Sequence, residues 1–262
     1  MKRLSGAKRI IDLAVVSGLY ALFIIPTGIL ASLPSLALNI AWFLLPAAYL
    51  SLRTKKNFSK IFSTTLLIGI LAFSLDIILL HNNAWTPYRS DFSFRIFGVP
   101  PEEMLWFFFH IFYIIVWYEH FIDDERLAST SKQLPRLAIF SIACFALVLT
   151  AVYSFPDMVR IRYAYGVFPA LAMVPVVVYL CLWRTVLLKK LLPLTAFFFF
   201  FGFAMEIRAV QLGFWSFPNT ENYLGMITLF GATFPMEEIA FWMTLGPVVA
   251  IAYYELFADD GH

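Results

Sequence analysis

The sequence predicts an all-α polytopic membrane protein of about eight transmembrane helices, arranged as two parallel four-helix repeats. Three observations carry this reading. Hydrophobic residues make up 61% of the 262-residue chain and charged residues only 14%, against roughly a quarter charged in soluble domains; the mean hydropathy is +0.80. Apolar segments recur near the roughly 20 residues that a helix needs to cross a bilayer. One ordered set of polar residues also occurs twice. So little polar surface cannot cover a water-facing exterior, and no basic patch points to nucleic acid.

The eight apolar segments fall at residues 10–30, 34–52, 61–80, 101–121, 136–155, 164–187, 190–210 and 235–257. The first follows MKRLSGAKR as a signal peptide would. Its run from Ile10 to Ala31 exceeds the roughly 7–15 residues of a signal core, so a retained span is expected. Pro46, Pro169 and Pro175 interrupt the second and sixth, as membrane helices tolerate. With eight spans and cytoplasmic termini, Arg89, Arg95, Arg160, Arg162 and Arg208 are the only ones of the 19 basic residues on the outer side. That is the positive-inside bias expected of a protein in the cytoplasmic membrane. Cys144 and Cys181 lie in apolar runs and are read as small buried hydrophobes rather than a disulfide or metal site.

The repeat starts with a carboxylate at a span end, Asp76 or Glu206, nine residues before a tryptophan, Trp85 or Trp215. A polar loop follows, then Pro-x-Glu-Glu opening an aromatic span: "FGVPPEEMLWFF" at residues 97–108 and "ATFPMEEIAFWM" at 232–243. The spans end in YEHFIDD from Tyr118 and YELFADD from Tyr254. This shared order divides the chain into units of residues 1–128 and 129–262. Four spans is an even number, so both units run the same way, as in parallel transporter repeats. Both acidic pairs, Glu102–Glu103 and Glu237–Glu238, then lie at one non-cytoplasmic face.

Pro followed by Glu is an ordinary helix start, since a first-turn proline loses nothing and carboxylates favour the positive end of the dipole. Ionisable groups opening membrane spans are functional candidates by default, and here they recur beside a third carboxylate. The dipole favours the anion by about 0.3–1 kcal/mol, whereas removing a carboxylate with a like neighbour from water opposes it several times more strongly. A buried pair therefore favours one shared proton, which makes a proton donor.

Helical spacing puts Trp106, Phe107 and His110 above Glu103, and Phe241, Trp242 and Leu245 above Glu238. Aromatic faces stabilise cations without being basic, so acid beside aromatic walls suits making a carbocation from an alkene. His110 is read as a neutral packing residue. Asp12 is read as interfacial, and Asp123, Asp124, Asp259 and Asp260 as solvated helix ends. The sequence has no dinucleotide fingerprint, no Cys/His metal spacing and no mid-span lysine for a retinal Schiff base, so no cofactor is expected.

The tandem acid, Trp, Pro-x-Glu-Glu and Phe-rich span resemble the small integral-membrane lycopene cyclases, known as actinobacterial heterodimers, archaeal fused chains and part of fungal bifunctional enzymes. The resemblance is strongest at residues 76–124 and 206–260. It implies a non-redox isomerisation of a membrane-embedded acyclic carotene such as lycopene: a carboxylic acid protonates the terminal double bond, the chain closes on the cation, and a base removes a proton to give a β-ionone-type ring. By motif, Glu102, Glu103, Glu237, Glu238 and Asp76 carry over, with Glu206 in place of the second aspartate. Trp85, Trp106, Phe107, Trp215, Phe241 and Trp242 would form the substrate walls. The alternatives are another end-group enzyme such as a hydratase, and a proton-coupled membrane transporter using the carboxylates as relays.

Overall fold

A computed structural model of the chain describes residues 6–24, 33–54, 57–123 and 130–259. It is an all-α polytopic membrane protein. The long helices are α1 (Gly6–Ile24), α2 (Ser35–Arg53), α3 (Phe58–His81), α4 (Pro101–Phe121), α5 (Leu134–Ser154), α6 (Ala164–Trp183), α7 (Leu192–Gln211) and α8 (Glu238–Ala258). Short helices Pro156–Val159 and Thr185–Lys190 link α5 to α6 and α6 to α7.

Helices α2 to α8 are each long and apolar enough to cross a membrane. Helix α1 occupies the place of the first expected span, but its described part carries Lys8, Arg9 and Asp12 and does not meet that composition. Residues 25–30 of that span lie outside the described residues, as do Asp124 and Asp260. The sixth expected span is shorter than read, because α6 ends at Trp183 and the next turn starts a separate helix.

Apolar periodicity sorts each helix into an inner and an outer face. In the Phe197–Phe201 run of α7, Phe198 and Phe201 are 1% and 2% exposed while Phe200 is 70% exposed. Helices α5 and α6 present Ile139, Ile142, Val178 and Leu182 outward, an apolar surface that requires lipid. Cys181 is also exposed there, not buried as the sequence suggested. Inside, Trp42, Phe43, Tyr113, Phe198 and Tyr254 form the large-side-chain core. Helix α2 widens to a π-turn over Ile40–Leu44. That relieves the clash of the Pro46 ring with the carbonyl four residues back.

The contacts between the two halves are reciprocal. Strand β1 (Thr86–Pro87) pairs antiparallel with β2 (Trp215–Ser216), matching Thr86 with Ser216, which are the residues following the two repeated tryptophans. At the other end of the bundle, the Tyr118 hydroxyl donates to Glu255 Oε1 at 2.6 Å, and the Tyr254 hydroxyl donates to Glu119 Oε1. The longer second loop holds a hairpin of β3 (Met226–Leu229) and β4 (Ala232–Pro235). Its flank is tied to the first half by Asn222 Nδ2 donating to the Asn82 carbonyl at 2.8 Å and the Tyr223 hydroxyl to that of Ala84 at 2.6 Å.

Two acids that the sequence placed at the interface or in water are buried. Asp12 is 0% exposed and accepts from Tyr49, Arg53 and His120, with the His120 Nε2 contact at 3.0 Å. Asp259 is 3% exposed and pairs with Lys60 Nζ at 2.9 Å; the same ammonium lies 4.0 Å from Glu119 and 5.3 Å from the Tyr254 ring. Both acids end up inside because helix ends converge on them and supply cations and hydroxyls.

Candidate active site

Five helix termini and two loops meet around a cavity of about 70 Å³, room for a few water-sized groups. Asp76 enters from the last turns of α3 and Glu206 from those of α7. Glu103 and Glu238 enter from the first turns of α4 and α8. All four are buried, between 3% and 9% exposed. They lie within Coulombic reach of one another, Asp76 with Glu103 and Glu238, and Glu206 with Glu103 and Glu238. Among the described residues no lysine or arginine lines the cavity.

The sequence-derived residues divide clearly. Asp76, Glu103, Glu206 and Glu238 line the cavity, as do Trp85, Trp106, Phe107, Trp215 and Trp242. Glu102, Glu237 and Phe241 do not. Glu102 Oε1 accepts the Asp91 N–H at 2.8 Å, and Glu237 Oε1 accepts the Leu224 N–H at 2.5 Å. The first glutamate of each pair thus fastens the preceding loop, and only the second faces inward. Consecutive helical residues diverge by about a quarter turn or more, so adjacent carboxylates cannot both point into one small cavity. The two carboxyls of each pair stay within Coulombic reach, but among the described residues no hydrogen bond joins them through which the expected proton would be shared. The carboxyls that meet come from different helices.

Phe241 misses the cavity for a related reason. The start of α8 is a π-helix over Glu238–Leu245, closed by i→i+5 bonds. The wider turn brings the residues four and five positions on, Trp242 and Met243, over Glu238 instead of the third. In α4, an ordinary α-helix, Trp106, Phe107 and His110 stand where their spacing predicts. His110 packs among aromatic rings, 4.9 Å from those of Phe43 and Trp106, as the sequence reading has it, and it also lines the cavity.

Phe198, Gly202 and Met205 of α7, with Tyr165, Phe217 and Met243, complete the lining, and all six escaped the sequence reading. Tyr165 sits in the first turn of α6, where tyrosine is an ordinary interfacial residue. Its hydroxyl donates to Glu238 Oε1, a contact 73 residues apart that no local pattern announces. Trp215 Nε1 donates to Glu206 Oε1 at 2.9 Å.

Trp106, Phe107, His110 and Trp242 also line a second, larger space of about 590 Å³ between α3, α4, α5, α6 and α8. Its walls are mostly Leu, Ile, Val, Ala, Met and aromatic residues, with Ser74, Cys144 and His110 among them, and no Asp, Glu, Lys or Arg among the described residues lines it. The acidic cavity and the apolar chamber share these four ring residues as their common wall. No family model, curated protein or solved structure matches this chain.

Proposed function

We propose that this protein is a carotenoid end-group enzyme, a lycopene cyclase that forms β-ionone-type rings without redox chemistry. One observation carries the reading. Four buried carboxyls share an aromatic-walled cavity that no lysine or arginine among the described residues lines. Four carboxylates in such a space would be prohibitively repulsive and poorly solvated, so protons supply the compensating charge and the site holds acid ready to donate. The adjoining 590 Å³ chamber suits a long apolar chain that presents one end to the acids, and a substrate dissolved in the bilayer has no need of a polar anchor. A proton added to the terminal double bond leaves a tertiary cation beneath Trp106, Phe107 and Trp242, whose π faces stabilise it. Ring closure and loss of a proton complete an isomerisation. The bias of basic residues puts this cavity at the non-cytoplasmic face.

A hydratase is the second reading, favoured by one feature: Trp85 Nε1, Trp106 Nε1, Trp242 Nε1 and Asp76 Oδ2 are buried and make no hydrogen bond to the protein. Such groups hold ordered water, and water captures the same cation. Expressing the chain in cells that accumulate lycopene and separating the pigments by chromatography decides between them. Cyclic product is expected. Hydroxylated acyclic product favours the hydratase, and unchanged lycopene beside folded protein contradicts both.

The chamber yields its own prediction. Ala172 lines it on α6, away from the carboxyls. Ala172→Phe puts a ring in the path of the chain, and overpacking of this kind costs about 1–3 kcal/mol. The apparent KM for substrate in liposomes rises by roughly tenfold or more, with kcat near the wild-type value.

A further inference from the structure

The four cavity carboxyls are not equivalent, and the difference runs between the two halves of the chain. Glu238 accepts from the Tyr165 hydroxyl, and Glu206 accepts from Trp215 Nε1 at 2.9 Å. Asp76 stands nine residues before Trp85, as Glu206 stands before Trp215. Yet Trp85 Nε1 and Asp76 Oδ2 are both buried and make no hydrogen bond to the protein. An aspartate is one methylene shorter than a glutamate, so the first half lacks the arm that closes this contact in the second. Among the described residues no side chain donates to Glu103, and none from α2 lines the cavity to play the part of Tyr165.

Donors aimed at a carboxylate hold it in its proton-accepting form. A carboxyl among apolar groups with no donor rests as the neutral acid. We propose that Tyr165 is a positioning residue that fixes Glu238 as the base ending the reaction, while Asp76 and Glu103 deliver the proton that starts it. The assignment rests on the cyclase reading. The carboxyl proton adds to the terminal double bond, whose π pair becomes the new C–H bond. The π pair of an internal double bond then forms the ring C–C bond. The cation left in the ring loses a proton to Glu238, and that C–H pair becomes the ring double bond. Electrons balance without an oxidant. Glu238 lies within Coulombic reach of Asp76, and return of its proton to the acid side restores the site.

More than one carbon flanks the ring cation, so the place of the base decides which C–H bond breaks and which ring isomer forms. Tyr165→Phe removes the donor but not the ring. In lycopene-accumulating cells, this variant is expected to make cyclic carotene with its minor ring isomers raised on the order of tenfold over wild type, the scale of one charge-assisted hydrogen bond. Glu238→Asp draws the base back by one carbon and shifts the ratio as well, which keeps the test decisive should Tyr165→Phe fail to fold. Asp76→Glu, on the acid side, changes the rate while leaving the ratio as in wild type. Lowered turnover with an unchanged isomer ratio in both Tyr165→Phe and Glu238→Asp overturns the assignment while the cyclase reading stands. A wild-type chain that makes no cyclic product overturns the reading and the assignment with it.

Discussion

Glu103→Gln lowers turnover by about 10²–10⁴-fold, the usual contribution of a positioned general acid, while Glu102→Gln keeps most of the activity. The two substitutions are chemically identical and adjacent in sequence. They differ only in where the helix points them. Glu103 lines the acidic cavity, and a glutamine there keeps the shape but has no proton to give. Glu102 accepts the Asp91 N–H at 2.8 Å, a bond that a glutamine carbonyl also accepts, and Asp91 Oδ2 in turn accepts the Leu36 N–H at the start of α2. Pigment yield per folded protein, measured for both variants in lycopene-accumulating cells, checks this. Equal losses in the two would show that the pair acts as a unit, contrary to the geometry.

The second large effect is on stability. Lys60→Met removes a fully buried ammonium lying 2.9 Å from Asp259 and 4.0 Å from Glu119, both buried. Breaking a buried ion pair from one side costs about 3–5 kcal/mol, because the remaining charge stays out of water. Methionine matches the volume of the stem, so packing loss adds little. The cluster lies at the opposite end of the bundle from the acidic cavity, among the reciprocal Tyr118–Glu255 and Tyr254–Glu119 bonds that join the two halves. Denaturant unfolding in mixed micelles, followed by tryptophan fluorescence, should therefore show a strong shift for Lys60→Met. An unchanged unfolding midpoint would remove this cluster as a clamp between α3, α4 and α8.

Much of this architecture is legible in the chain. Length and apolarity locate the spans, because a bilayer imposes one length on every crossing helix. The repeat of carboxylate, tryptophan and Pro-x-Glu-Glu predicts acids gathered at one membrane face, and the structure brings Asp76, Trp85, Glu103, Glu206, Trp215 and Glu238 together in one cavity. What sequence could not show depends on angle and distance. Pro-x-Glu-Glu does not reveal that its first glutamate turns to the loop and its second to the cavity. The π-turn that replaces Phe241 by Met243 has no local signature in Glu238–Leu245. Tyr165 becomes a site residue because α6 starts beside α8, and Asp259 meets its buried cation, Lys60, across 199 residues of sequence.

The central claim is that an acid of this cavity protonates a carbon atom of the substrate. It is tested most directly by a single turnover in D₂O, with purified protein equilibrated in D₂O beforehand and in excess over the lycopene in liposomes, and mass analysis of the product. Exchangeable carboxyls take up deuterium, so each ring closed should carry a single deuterium on carbon and add about one mass unit. A cyclic product with no deuterium on carbon would contradict the claim, since the hydrogen added would not then have come from an exchangeable acid.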